Sequence, residues 1–270
     1  MASEYQIKEQ ICEIGRRVYN RGFAAACNQG AKDSNGHYLL FLNPDIRLLP
    51  DALAKPVAFM ERPQNRQVGI VGIQLLGSGG RVTKTCARFP TPGRFLSRML
   101  GLDQALPRVF PSHFMTEWDH QATREVDQVM GAFFLIRRAV FEALRGFDER
   151  FFVYFEEVDL SLRARILGWR TFYLSDAQAH HRGGGTSERV RGVRLFYSLR
   201  SRILYAYKHF WWWSATVVTV ATLVLEPVAR LSLAAARGSA RELGATLQGY
   251  ALLLRGIFGI LETAWRRGKT

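Results

Sequence analysis

Four short apolar runs, separated by helical and loop segments, constrain the fold of this 270-residue chain more than any other feature. Each run is bounded by turn-forming residues or by a helical pattern, which is typical of a buried strand. Strands that alternate with helices predict an α/β sheet, with chemistry near the carboxyl ends of the strands. The predicted strands are residues 37–42, 68–76, 126–136 and 169–174.

Helical patterns fill most of the chain between these strands. In the last of them, apolar residues recur every three or four positions until Gly168, a residue type that often ends helices. Residues 89–120, by contrast, are rich in Pro, Gly and Arg, and they predict a long loop over a site. The predicted helices are residues 24–31, residues 50–60, a short helix that ends at 144, and residues 158–166.

The C-terminal third is both basic and apolar. Residues 182–270 hold 14 Lys and Arg against 4 Asp and Glu, so most of the formal net charge of +14 belongs to this part. Anionic lipid headgroups are the partner that basic residues among long aliphatic runs favour. Nucleic acid is the alternative for such a charge excess, but no nucleic-acid motif is recognised here.

Two apolar helices are predicted in this region, at residues 210–225 and 249–269. The first has 16 residues without a charge, fewer than the roughly 20 that span a bilayer. An extension to residue 236 includes Glu226 and Arg230, which at a spacing of four can partly neutralise each other. A spanning or re-entrant hairpin and helices in the membrane interface both remain open, and the three tryptophans at 211–213 favour the interface.

The chain has three cysteines, Cys12, Cys27 and Cys86, without metal-type spacing. An odd number of scattered cysteines predicts a reducing compartment and ordinary thiols. The first 17 residues have no apolar core of the kind found in a signal peptide. We therefore expect the catalytic part to stay in the cytoplasm.

Asp45 follows the apolar strand 37–42 within the sequence Asn-Pro-Asp. A carboxylate at such a position can bind Mg²⁺ or Mn²⁺, which prefer oxygen ligands and keep positions open for phosphate oxygens. The alternative is a carboxylate that caps a turn. From this segment alone the turn is the favoured interpretation.

Three carboxylates, Glu156, Glu157 and Asp159, lie within four residues at a predicted helix start and beside five aromatic residues. Partial burial among aromatic rings would raise a carboxylate pKa towards the strength of a useful base. Two other interpretations are open: acidic residues favour helix N-termini, and Asp159 can pair with Arg163 one turn later.

A third candidate group is His180 and His181, followed by the sequence Arg-Gly-Gly-Gly-Thr-Ser. A histidine after a strand can bind metal or contact phosphate, and glycines let backbone N–H groups approach an anion. A single histidine is more often structural. The pair in front of a glycine-rich loop makes a ligand role worth testing.

Taken in order, several segments resemble the inverting glycosyltransferase family 2, and within it the bacterial rhamnosyltransferase-type enzymes of cell-surface polysaccharide assembly. The resemblance covers about residues 13–210. It implies a GT-A fold, a nucleotide-diphosphate-sugar donor and a divalent metal, Mg²⁺ or Mn²⁺. The segments are NRGFAAACNQG, YLLFLNPDIRLLPDAL, GAFFLIRRAVFEALRGFDERFFVYFEEVDLSLRARILGW and HHRGGGTS.

The resemblance also implies roles for individual residues. Asp45 and His181 match the positions that hold the metal and the donor diphosphate, and Glu157 matches the general base that deprotonates the acceptor hydroxyl. Asp159 and Glu156 would orient that base or bind the acceptor. Residues implied in donor or acceptor binding are Asn28, Asn43, Gly131, Ala132 and Trp169.

The sequence departs from the family pattern in two places. The base position holds Glu where Asp is more frequent, which lengthens the side chain by one methylene. About 20 residues precede the NRGF motif, fewer than the roughly 30 that a β-α-β unit needs. This predicts an N-terminally incomplete transferase domain over 1–188 and a membrane-associated helical region over 189–270.

The family resemblance predicts transfer of a sugar, with rhamnose a candidate, to a hydroxyl of a glycan or a polyprenol-linked acceptor. The expected location is the cytoplasmic face of the bacterial inner membrane, bound to the membrane surface and without a nucleic-acid partner. The short N-terminus leaves a second hypothesis open: an inactive remnant or a membrane-bound scaffold.

Overall fold

The computed structural model describes residues 20–181 and 190–265. The predicted incomplete N-terminal segment, the glycine-rich loop and the predicted domain boundary at 188 lie outside these residues. The strands are β1 (Tyr38–Leu42), β2 (Ile46–Leu48), β3 (Val68–Leu76), β4 (Val82–Thr83), β5 (Cys86–Ala87), β6 (Arg124–Val126), β7 (Gln128–Val129), β8 (Phe133–Arg137) and β9 (Arg170–His181). The helices are α1 (Phe23–Lys32), α2 (Ala54–Glu61), α3 (Pro92–Met99), α4 (Leu102–Ala105), α5 (Arg138–Ala143), α6 (Glu156–Ile166), α7 (Arg191–His209), α8 (Trp212–Val220), α9 (Glu226–Ala236) and α10 (Ala240–Trp265).

A mixed seven-stranded sheet forms the centre of the molecule, with the strand order β1-β8-β3-β9-β2. Strands β3 and β9 run parallel, and the other pairs in the sheet are antiparallel. Strand β4 adds to β3 and β6 adds to β9, while β5 and β7 form a separate two-stranded sheet. The predicted fold class, an α/β sheet flanked by helices, is confirmed.

Apolar residues cover both faces of this sheet, because residues along each strand point alternately to opposite sides. Ile70 and Phe134 belong to the core on the side of α1, α5 and α6, whereas Val71 and Phe133 belong to the core on the side of α2. In β3, every residue from 68 to 75 is buried. A continuous apolar run is the expected sequence of a strand with two buried faces.

Two sequence predictions need correction. The predicted strand 126–136 is three strands, β6, β7 and β8, because β6 pairs with β9 and β7 with β5. The predicted loop 89–120 contains the helices α3 and α4. Helix α3 begins at Pro92, and the hydroxyl of Thr91 accepts a hydrogen bond from the N–H of Arg94 at 3.2 Å, which caps the helix.

The C-terminal helices form a third packed region with α3. Helices α7 and α10 approach closely: a Cβ on Gly249 would lie 2.9 Å from the carbonyl oxygen of Gly192. Glu226 pairs with Arg230 at 2.7 Å, which confirms the pairing predicted from their spacing.

Within the described residues, two helices are long and apolar enough to cross a membrane by length and composition. They are Trp212–Ala236, which joins α8 and α9 through a π-helical turn at Ala221–Leu225, and Ala240–Trp265. Both are longer than predicted, because the helices continue through isolated charged residues. Trp211, Trp212 and Trp213 are exposed at the start of the first one.

Candidate active site

The chain makes a tight turn between β1 and β2, with Pro44 and Asp45 at its centre. The N–H of Ile46 donates to the carbonyl of Asn43 at 3.2 Å, so the segment forms a turn, and the described contact of the Asp45 carboxylate is with His181 rather than with the turn itself. Proline favours the second position of such a turn because its φ is already fixed there. The N–H of Asn43 donates to the carbonyl of Ala132 at 3.0 Å, which ties the turn to the segment before β8.

The same turn holds Asp45 against His181. Strand β2 pairs with the end of β9, with Ile46 opposite His181 and Arg47 opposite His180. Asp45 Oδ2 lies 3.3 Å from His181 Nε2, and the carboxylate is 37% exposed. Since adjacent strand residues point to opposite faces, His180 lies on the other side of β9. The strand register therefore places His181, the histidine that the family resemblance favoured, on the side of Asp45.

Asp45 and His181 fit a divalent cation as a two-residue site. Two ligand atoms that share one octahedral ion at about 2.1 Å lie about 3.0 Å apart, close to the observed 3.3 Å. Carboxylate oxygen and imidazole nitrogen both suit Mn²⁺. No cluster of three or more His, Cys, Asp or Glu suited to a metal occurs in the described part of the chain. Such an ion would have positions left for phosphate oxygens and water.

Gly131 and Ala132 connect this turn to α6. Ala132 accepts the hydrogen bond from Asn43, and Gly131 faces Glu157. A Cβ on Gly131 would lie 3.7 Å from Cβ of Glu157, so the glycine packs directly over that side chain. Two consecutive residues thus contact the two parts of the site: Ala132 bonds to the Asn43 turn, and Gly131 packs against Glu157.

Helix α6 begins after two residues in the left-handed backbone region. Tyr154 has a φ of 67° and Phe155 a φ of 69°, which is unusual for bulky side chains. Each such residue costs about 1–3 kcal/mol and needs packing that holds it in place. Phe155 packs against Phe95 and Tyr205 in the core. This packing sets the direction in which Glu156 and Glu157 enter the helix.

Glu157 lines a cavity of about 280 Å³. Its Oε2 is buried and makes no hydrogen bond to any described residue, and the same is true of Glu156 Oε2. Burial raises the pKa of Glu157 above its usual 4.5. Burial, and then the charge of Glu157, raise the pKa of Glu156 as well. A half-buried carboxylate with a free oxygen and a raised pKa can accept a proton from a bound hydroxyl.

Asp159 has a different environment, although it is two residues from Glu157. Its side chain is fully buried, and it contacts Arg163 at 2.8 Å, Lys208 at 2.5 Å and His209 at 2.7 Å. Burial alone would raise the pKa of Asp159, but the hydrogen bond from His209 and the nearby positive charges outweigh it and lower the pKa. Asp159 does not line the cavity; it joins α6 to the end of α7.

The cavity also contains four arginines that the sequence analysis missed. Arg94 and Arg98 come from α3, Arg202 from α7 and Arg230 from α9. Thr91 and Pro92 could have indicated α3, since a capping residue before Pro is a helix start signal. The sequence offered no signal that would bring α7 and α9 to the same cavity.

A family comparison decides what class of protein carries this arrangement. The model described as "Glycosyltransferase like family 2" matches residues 2–200, about three quarters of the chain. The chain belongs to glycosyltransferase family 2.

Curated relatives of this family 2 member are similar over about two thirds of the chain. The N-acetylglucosaminyl-diphospho-decaprenol L-rhamnosyltransferase of Mycobacterium tuberculosis is 27% identical over 187 residues, which cover 66% of this chain and 58% of the relative. The rhamnosyltransferase WbbL of Escherichia coli is 28% identical over 189 residues, which cover 64% and 67%. The chain thus spans 58% of the first relative's length.

A solved structure with similarity is the mannosyltransferase PcManGT from Pyrobaculum calidifontis, described in complex with GDP-Man and Mn²⁺. It is 18% identical, and the alignment covers 92% of this chain and 64% of that chain, with a TM-score of 0.44.

Asn28 and Trp169, for which donor or acceptor binding was predicted, lie away from the Glu157 cavity. Asn28 Oδ1 accepts from the N–H of Phe147 at 2.8 Å, and its Nδ2 donates to the carbonyl of Phe147 at 2.9 Å. Trp169 packs on the start of β3, where a Cβ on Gly69 would lie 3.0 Å from Cβ of Trp169. In this family 2 member, both side chains hold neighbouring segments together, and their binding roles stay predictions.

Proposed function

We propose that this protein is an inverting glycosyltransferase that moves a sugar from a nucleotide-diphosphate-sugar to a hydroxyl of a lipid-linked or cell-surface glycan acceptor. One observation carries the proposal: in the cavity beneath Gly131, Glu157 has a buried carboxylate oxygen without a hydrogen-bond partner among residues 20–181 and 190–265. The chain's membership of glycosyltransferase family 2 supports the same reaction class.

Glu157 acts as the general base. It takes the proton from the acceptor hydroxyl as the oxygen attacks the anomeric carbon of the donor sugar, and the bond to the diphosphate breaks on the opposite face. A single displacement of this kind inverts the anomeric centre. A base with a pKa raised by burial accepts the proton more readily than an exposed glutamate does.

Asp45 and His181 would hold a divalent cation, Mg²⁺ or Mn²⁺, together with the donor diphosphate. Such an ion supplies charge stabilisation to the departing diphosphate. Asn43 shapes the turn that presents Asp45, and Gly131 leaves space next to the base. Burial and then the charge of Glu157 raise the pKa of Glu156, so Glu156 favours its neutral form beside the base, and Asp159 holds α6 in position from the other side.

Rhamnose is the candidate sugar because the M. tuberculosis and E. coli relatives are named as rhamnosyltransferases. A polyprenol-linked acceptor agrees with the two long apolar helices, which could anchor the protein to a membrane. The exposed tryptophans at the start of the first helix favour attachment at the membrane interface. We assign the site of action to the cytoplasmic face of the bacterial inner membrane.

The test is transfer by the full chain in detergent, with Mn²⁺ present, from a nucleoside-diphosphate rhamnose to farnesyl-diphosphate-linked N-acetylglucosamine. Glu157→Gln should lower kcat by roughly 10²- to 10⁴-fold, the usual contribution of a general base, while donor affinity is kept. Glu142→Gln is the matched control, because Glu142 is 62% exposed and pairs only within its own helix with Arg138 among the described contacts. Unchanged turnover in Glu157→Gln would remove the base assignment, and a wild-type chain that transfers no sugar would favour the scaffold hypothesis.

A further inference from the structure

The cavity that Glu157 lines also holds a cluster of positively charged side chains. Its arginines, Arg94, Arg98, Arg202 and Arg230, come from three different helices, and Glu157 is the only acidic residue among the described lining residues. Three helices contribute charge to one small volume of about 280 Å³. Chance clustering on a single exposed helix face does not produce this arrangement.

The nearby carboxylates neutralise only part of this charge. Glu226 pairs with both Arg202 and Arg230, and Arg98 approaches Asp103 at 3.5 Å. Among the described contacts, these two carboxylates pair with three of the four arginines. His113, which also lines the cavity, has its pKa lowered to about 4 by burial and by the charges of the surrounding arginines, Arg98 first. The excess positive charge thus acts within the cavity itself.

Arg202 contributes a largely buried guanidinium to this cavity. Its side chain is 10% exposed, and its Nε is buried without a hydrogen-bond acceptor among the described residues. A guanidinium N–H that is buried and unpaired is costly, so structures usually provide an acceptor for it. Arg202 also lines the cavity, so an anion bound there would lie beside a guanidinium that Glu226 already orients.

A second cavity, of about 460 Å³, lies on the far side of the same arginines. It shares Arg98, Arg202 and Arg230 with the first cavity, and it is also lined by Leu100 and Leu233. Both leucines are about half exposed, and Leu233 lies on α9 within the first membrane-length helix. The arginines therefore lie between the base and a second cavity of mixed polar and apolar lining, which borders a helix long and apolar enough to meet lipid.

We infer that these arginines bind the phosphate or diphosphate group of a lipid-linked acceptor. The acceptor's sugar hydroxyl then reaches Glu157, and its apolar chain leaves along α9. Guanidinium groups suit this ligand because they form paired hydrogen bonds to phosphate oxygens. The inference rests on the proposed transferase function and assigns the residues that would bind the charged group of its acceptor.

A diphosphate could also come from the donor. In the proposed function the donor diphosphate lies at Asp45 and His181. If the arginines bind the acceptor, arginine variants should lose affinity for a lipid diphosphate and keep their affinity for a nucleoside diphosphate. The experiment measures binding of three probes by titration calorimetry to the full chain in detergent micelles. The probes are farnesyl diphosphate, farnesol, and uridine or thymidine diphosphate with Mn²⁺.

Arg94→Gln and Arg98→Gln should each weaken farnesyl diphosphate binding roughly tenfold or more, the usual effect of losing a hydrogen bond to a charged group. Farnesol and nucleoside diphosphate affinities should stay unchanged. Arg62→Gln is the matched control, because Arg62 stacks over Phe59 at 5.7 Å much as Arg98 stacks over Phe114 at 5.1 Å. Circular dichroism melting identifies any variant that fails to fold, and the other arginine variant then carries the test.

Equal farnesyl diphosphate affinity in the wild type and both variants would overturn the inference. A parallel loss of nucleoside diphosphate affinity would also overturn it, in favour of the donor. Binding needs no turnover, so the two proposals fail separately. Arginine-dependent binding of farnesyl diphosphate without sugar transfer would reject the transferase and keep the lipid diphosphate site. Transfer with arginine-independent binding would keep the transferase and reject the site.

Discussion

Glu157 and Asp159 belong to the same turn of α6, yet their environments are opposite. Glu157 faces the cavity with an unpartnered oxygen and a raised pKa. Asp159 faces α7 with three cationic or potentially cationic partners and a lowered pKa. A helix turns about 200° over two residues, so Glu157 and Asp159 point to opposite sides of α6.

The difference separates chemistry from support within one acidic motif. A carboxylate whose oxygens form salt bridges has a low affinity for a proton from the substrate. A carboxylate left unpaired in a half-buried cavity keeps that capacity but stabilises the fold little. We therefore expect changes at Glu157 to affect turnover and changes at Asp159 to affect folding.

The largest effect on stability should come from Asp159→Asn. The substitution removes the carboxylate from Arg163, Lys208 and His209, and breaking a buried ion pair by removing one partner costs about 3–5 kcal/mol. Urea denaturation of the detergent-solubilised chain measures this loss. Lys208 keeps its 2.7 Å contact with Asp148, which places the expected value towards the lower end.

Glu157→Gln is the matched control for this measurement. Its folded state favours the neutral carboxyl, so a neutral isostere should leave the free energy of unfolding within about 1 kcal/mol or raise it. If the two variants destabilise the protein equally, the separation of roles between the two acids is wrong.

The two acids should also respond to pH in opposite directions, which is the next largest effect. The folded protein keeps the proton on Glu157 at pH values above 4.5, the usual pKa of a glutamate. The contribution of Glu157 to stability is therefore present at low pH and is lost as pH rises through the raised pKa. Asp159 stabilises the fold at pH values above 3.8, the usual pKa of an aspartate, and this contribution is lost as pH falls through its lowered pKa.

Activity should follow Glu157. The acidic limb of kcat/KM should have its midpoint above 4.5, with about a tenfold loss per pH unit below that midpoint, because the base must be ionised to accept a proton. Profiles of kcat/KM and of unfolding free energy against pH measure the two responses separately. A limb at or below 4.5 would contradict a base with a raised pKa.

The sequence predicted parts of this arrangement that depend on local pattern. The run 68–76 became β3 because apolar residues on both faces fix a central strand. The family resemblance favoured His181 over His180, but the contact of His181 with Asp45 depends on pairing between β2 and β9, which no local pattern reports. Asp45 was predicted either as a turn residue or as a ligand, and the turn is what holds it beside His181.

The arginines were missed for a physical reason. Arg202 and Arg230 lie in a region whose basic residues were explained by a membrane surface. Their contact with the cavity requires α7 and α9 to pack against α3, and this depends on long-range apolar contacts. Charge composition predicted an acidic partner, but it gave no sign that arginines from α3, α7 and α9 would meet at one cavity.

Asn28 provides the smallest effect and extends the comparison to a second motif. Its amide exchanges two hydrogen bonds with Phe147, and a Cβ on Gly146, which has a φ of 73°, would lie 2.5 Å from its Oδ1. Asn28→Ala should therefore cost about 1–3 kcal/mol of stability by leaving the Phe147 N–H and carbonyl unpaired. Urea denaturation measures the loss of stability, and initial rates measure the donor KM, which should stay unchanged. A raised donor KM with normal stability would return Asn28 to the donor-binding role predicted from the sequence.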